Sequence, residues 1–137
     1  MLRAFLLFLL LVSWTCFSSE ISKDVRCFTS TDGRVNLKLA LLTDNKWMGG
    51  YIIYKNSSSA ITIVPIKSEC ETLDVDRPSE TTTTWLAVIN GGVAGKFKAV
   101  HQGAIFSYLN YSNAKNENVM NFIQNDDAFD GNDCIWK

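Results

Sequence analysis

His101 is the only histidine in the 137-residue chain, and so the side chain best suited to move a proton near neutral pH. A hydrolase built on it needs a nucleophile or a carboxylate beside the ring. The Gly-x-Ser-x-Gly elbow that would present such a serine is absent from the sequence. His101 is followed by Gln102-Gly103, which predicts a residue at a hairpin tip. The densest run of metal-ligating side chains is Asp126 to Asp133. With Gly131 as the sixth position of an EF-hand loop, Asp126 and Asp130 fall at positions one and five. Position three is then Ala128, which offers no oxygen, and position twelve is Lys137 instead of a bidentate glutamate. The run reads as a solvated acidic turn, and no metal or cofactor is expected. There is no phosphate loop and no dinucleotide fingerprint.

Cysteine is the remaining reactive type. Cys16, Cys27, Cys70 and Cys134 show no Cys-x-x-Cys spacing, so a redox or zinc site is not indicated. Cys16 lies in a leader. Arg3 is the only charge in Met1 to Ser18, Ala4 to Val12 is unbroken apolar chain, and small residues follow at Ser13, Thr15, Cys16 and Ser18. That is the layout of a secretory signal peptide, too short to span a bilayer. It implies a periplasmic or secreted product with no membrane attachment after cleavage. Three cysteines remain downstream, enough for one disulfide and one spare thiol. Cys27 with Cys134 is the preferred pair because it ties the two chain ends together. A bridge from Cys70 to either of them, or none, stays open at this point.

The expected mature chain, Ser19 to Lys137, is one domain of 119 residues. Loss of Arg3 leaves twelve basic against fourteen acidic residues, a net charge of −2, which gives nucleic acid no basic surface to bind.

The elements that must carry these residues are strands. Val35, Leu37, Leu39 and Leu41 alternate with polar or small neighbours, the period of a half-buried strand. Trp47–Tyr54, Ala60–Ile66, Thr81–Ile89, Val93–Val100 and Ala104–Tyr111 follow in the same style. Val93, Phe97 and Ala99 are expected on one face of their strand, with Lys96 and Lys98 on the other. Gly49-Gly50 suggests a bulge or bend, and Pro65 an edge position. Asn90-Gly91 is a strong hairpin signal. Glu117–Gln124 fits a strand better than a helix, given the preceding hairpin rhythm. Lys67 to Thr82, with Glu69, Glu71, Asp74, Asp76 and Glu80, reads as one long polar connection. The aromatic residues Trp47, Tyr51, Tyr54, Trp85, Phe97, Phe106, Tyr108 and Tyr111 are expected to fill the core. The sum is an all-β fold, an antiparallel meander of seven or eight strands closing into a small barrel or sandwich.

This layout, with a cysteine in Val25-Arg26-Cys27-Phe28 and another in Asp133-Cys134-Ile135-Trp136, resembles the periplasmic lysozyme inhibitors of Gram-negative bacteria. The resemblance implies a small β-barrel that inserts a loop into the cleft of a basic lysozyme. The family's Ser-Gly-x-x-Tyr loop has its nearest counterpart in Ala94-Gly95-Lys96-Phe97, which lacks both hydroxyls. The resemblance puts Gly95 and Phe97 in the binding stretch. The residues themselves put Asp74 and Asp76 of the acidic connection, Asn90 and His101 at exposed turns. The expected function is an exported, non-enzymatic protein-binding domain, with a lysozyme or toxin as partner. A small secreted hydrolase using His101 and a structural or adhesive surface subunit are the alternatives.

Overall fold

Antiparallel neighbours joined by tight turns can pair in chain order, and here they do so until the sheet meets itself. The computed structural model describes residues 20–137; the leader expected at Met1 to Ser18 lies outside them. Eight strands follow one another: β1 (Ser22–Ser30), β2 (Asn36–Thr43), β3 (Met48–Tyr54), β4 (Ile61–Glu71), β5 (Glu80–Ile89), β6 (Gly92–Gln102), β7 (Ile105–Asn113) and β8 (Val119–Gln124). They form a closed up-and-down barrel, sealed by β1 against β8. No helix among the described residues is long and apolar enough to cross a membrane.

The period-two patterns decide the inside. Phe28, Leu37, Leu39, Ile52, Ile63, Trp85, Phe97, Leu109 and Phe122 meet in one buried core, each less than 3% exposed. Phe106 joins them edge-on to Phe28, with ring centroids 5.5 Å apart and planes at 88°. Three bulges re-aim side chains. The extra residue Ala94 lies between the pairs Ala87–Gly95 and Val88–Val93. It turns Val93 away from the face of Phe97 and leaves it 53% exposed, contrary to the sequence expectation. Ser107, skipped between Tyr108 and Phe106, brings Phe106 inward. Ile66 is skipped beside Pro65 in β4.

Two further expectations are corrected. Gly49 and Gly50 form no bulge; β2 and β3 run in unbroken register past both. What Gly50 provides is room, because a Cβ there would lie 2.6 Å from the Ala40 carbonyl oxygen. The polar stretch from Lys67 is also not all connection. β4 continues to Glu71 and β5 begins at Glu80, leaving Thr72–Ser79 as the loop. The threonine run of β5 explains this: Thr81, Thr82, Thr83 and Thr84 give the charged strand a complete ladder on one side.

The last residues strap the outside of β1. Cys27 and Cys134 are disulfide-bonded across 107 residues of sequence, resolving the pairing left open above, and among the described residues Cys70 is the free thiol. Asn125 N–H donates to the Cys27 carbonyl at 2.8 Å, and Lys38 reaches Asp133 at 2.9 Å. A bridge of this kind persists in oxidising compartments, in keeping with a non-cytosolic destination.

Candidate functional site

In an up-and-down barrel every second turn falls at the same end. The turns after β2, β4 and β6 therefore share one rim, and those after β1, β3, β5 and β7 share the other. This parity sorts the candidate residues. Asp74 and Asp76 (β4–β5 loop) and His101 (end of β6) lie at the first rim. Asn90 lies at the opposite end. There Asn90 (φ 51°) and Gly91 (φ 75°) make the two left-handed residues of a tight hairpin. Gly95 and Phe97 belong to neither rim. Both are on β6, Phe97 is fully buried, and a Cβ at Gly95 would collide with the Ser112 carbonyl and the Tyr111 ring. The Ala94–Phe97 stretch is thus part of a strand whose Gly95 and Phe97 face the core, and these two residues present no surface to a partner.

The first rim is dominated by an arm. β3 pairs with β4 only from Ile61 to Ile63, so β4 leaves the barrel wall there. From Val64 to Glu71 its only neighbour is β5, which is held in turn by β6. The Thr72–Ser79 loop caps this projection and is closed by a hydrogen bond between the Thr72 and Ser79 hydroxyls at 3.0 Å. Asp74 accepts from the Asp76 N–H at 3.2 Å, and Arg77 lies 3.9 Å from its carboxylate. The loop rests on the β6–β7 turn. Gln102 Nε2 donates to the Pro78 carbonyl at 3.4 Å, and Pro78 covers Gly103. Asp74, Asp76 and the His101 turn are thereby brought onto one rim.

Sequence reasoning missed the apolar part of this surface. Val75 is 94% exposed, Ile105 72% and Leu73 57%. Trp47, expected in the core, is 46% exposed in the β2–β3 turn on the same rim. The signal was present: Leu73 and Val75 alternate with acidic residues in a loop that has no core to face. Of the other aromatic residues expected inside, Trp85, Phe97 and Phe106 are buried, and Tyr54 and Tyr111 pack against the core. Tyr51 and Tyr108 are only partly buried, Tyr51 lying under the Lys23 ammonium at 5.9 Å.

His101 is engaged structurally. Its ring stacks on Phe106 at 4.9 Å, and Nδ1 is 2.9 Å from the Gly103 carbonyl, which makes Nδ1 the protonated nitrogen. No carboxylate hydrogen-bonds to it among the described residues. In the Asp126–Asp133 turn, Asp126 accepts from Gln124 Nε2 at 2.6 Å and Asp133 pairs with Lys38. Asp130 accepts the N–H groups of Asp133 (2.7 Å) and Asn132 (2.8 Å), which hold its carboxyl below the usual range. Asp133 is held low by Lys38 and by the Cys134 N–H. Among the described residues no three His, Cys, Asp or Glu side chains gather as a metal site.

Comparison with protein-family models, with curated proteins and with solved structures finds no match.

Proposed function

We propose that this chain is an exported, non-enzymatic binding module that docks another protein on the rim formed by the β4–β5 loop, the β2–β3 turn and the β6–β7 turn. The observation that carries the reading is Val75, almost wholly solvated at the tip of a projecting, well-braced loop, with Leu73, Ile105 and Trp47 exposed on the same rim. Apolar side chains gathered on a rim with charged neighbours are what a protein interface needs at its centre. From Lys67 to Glu80 five carboxylates stand against Lys67 and Arg77, so the surface suits a basic partner. A periplasmic inhibitor or immunity protein that blocks a basic lysozyme or a secreted toxin fits this chemistry. In that role the β4–β5 loop, not the Ala94–Phe97 stretch, enters the partner's cleft.

The test is surface plasmon resonance against a panel of basic lysozymes, with lytic activity followed in parallel. The expected result is saturable binding that weakens at least tenfold in Leu73→Asp/Val75→Asp while the melting temperature holds. Absence of binding across the panel, or equal binding by the variant, removes the proposal. Turnover of any glycan or ester that is lost in His101→Ala would favour the hydrolase instead.

A further inference from the structure

The flank of the arm offers a second surface, independent of the rim. β4 is paired on one side only from Val64 to Glu71, so alternate N–H and C=O groups along its free margin point to solvent. Pro65 has no N–H, and Ile66 is bulged, so the regular, pairable part is Lys67–Glu71. All five of these residues are exposed. Lys67 and Glu69 face the same side and meet at 2.9 Å.

We propose that this margin pairs antiparallel with the same margin of a second copy, giving a weak two-fold dimer. The charge sequence selects both the occupant and the register. With the two-fold axis at Ser68, Lys67 stands opposite Glu69 of the second copy, and Glu69 opposite its Lys67. Both pairs are favourable, and no like charges meet. With the axis at Glu69, Lys67 does face Glu71 of the second copy on both sides, but the Glu69 carboxylate at the centre faces its own copy. An axis at Cys70 sets Glu69 against Glu71 twice, and an axis at Lys67 opposes two ammonium groups. The pairing is short, so the dimer belongs to the small, concentration-dependent class of interfaces. Its register keeps the two Cys70 thiols about 13 Å apart along the strand, so they do not bridge.

Sedimentation velocity over a concentration series tests this with two single charge reversals. Lys67→Glu and Glu69→Lys each oppose like charges in the homodimer, so each is expected to dissociate at least about tenfold more readily than wild type. Mixed in equal amounts, the two variants present only opposite charges to each other, and dimer returns. Ser68→Cys in a Cys70→Ser background adds a geometric check, because it is expected to cross-link on mild oxidation. A wild-type chain that stays monomeric at the highest concentration overturns the proposal. So do single variants that still dimerise, or a mixture that remains monomeric. None of these outcomes bears on docking at the rim, which is read with a different protein.

Discussion

Replacing Cys27 and Cys134 together by alanine cuts the only covalent tie between β1 and the terminal strap. The tie closes a loop of 107 residues, and the loss of chain entropy it imposes on the unfolded state is worth about 4.8 kcal/mol at 25 °C. Native disulfides in small domains deliver about 2–5 kcal/mol, so the calculated figure is near the top of the range. Unfolding entropy near 60 °C is about 2.1 cal/mol/K per residue, or roughly 250 cal/mol/K for the described barrel. The melting temperature should therefore fall by about 8–20 °C. The assay is differential scanning calorimetry at pH 7 in a Cys70→Ser background, which removes thiol exchange without touching the core. Cys70→Ser alone should leave the melting temperature unchanged, since Cys70 is exposed. A double variant melting within about 3 °C of its parent would refute the reasoning. It would mean that the strap detaches locally before the barrel unfolds, so that the bridge constrains only the strap.

Phe97→Ala should cost about 3–5 kcal/mol in urea unfolding, because the ring is fully buried and tilted against Tyr111 at 4.7 Å. Gly95→Ala should cost about 1–3 kcal/mol by the same measurement, since the added methyl presses on the Ser112 carbonyl and lies 2.6 Å from the Tyr111 ring. Asn90→Ala should cost about 1–2 kcal/mol, as alanine is strained at φ 51°. Asp133 has a lower pKa folded than unfolded, because Lys38 and the Cys134 N–H favour the charged carboxylate. Its contribution is therefore present above the ordinary aspartate value of about 3.9 and is lost as pH falls through the lower folded value. Urea midpoints from pH 7 to pH 2 should show the difference between wild type and Asp133→Asn shrinking across that acid window.

The strand rhythm was legible because alternation is a direct consequence of a two-faced ladder. Leu37 and Leu39 are expected inside and are found there, and Asn90-Gly91 makes its hairpin. The bulges at Ile66, Ala94 and Ser107 left no such mark, because one extra residue changes the facing of its neighbours without changing composition. Phe106 is inside and Val93 outside for this reason alone. The extension of β4 to Glu71 was hidden by its charges. A strand with one free margin and little buried surface has no apolar alternation to reveal it. The candidate site was half legible. Acidity pointed to Asp74 and Asp76, and glycine to the His101 turn. Counting turns would have separated Asn90 from them, since in a meander it must lie at the far end. Gly95 and Phe97 were drawn from a motif likeness, and their burial follows from the alternation they share with Ala99.

The strap on β1 has a kinetic consequence. In the exported chain that the proposed leader cleavage would leave, Cys27 and Cys70 precede Cys134, so the first cross-link open to an oxidising catalyst is the non-native Cys27–Cys70 pair. Folding then depends on exchange, with the late-arriving Cys134 displacing Cys70 through a mixed intermediate. A cell lacking a disulfide isomerase should accumulate the mispaired chain, and Cys70→Ser should release it from that need.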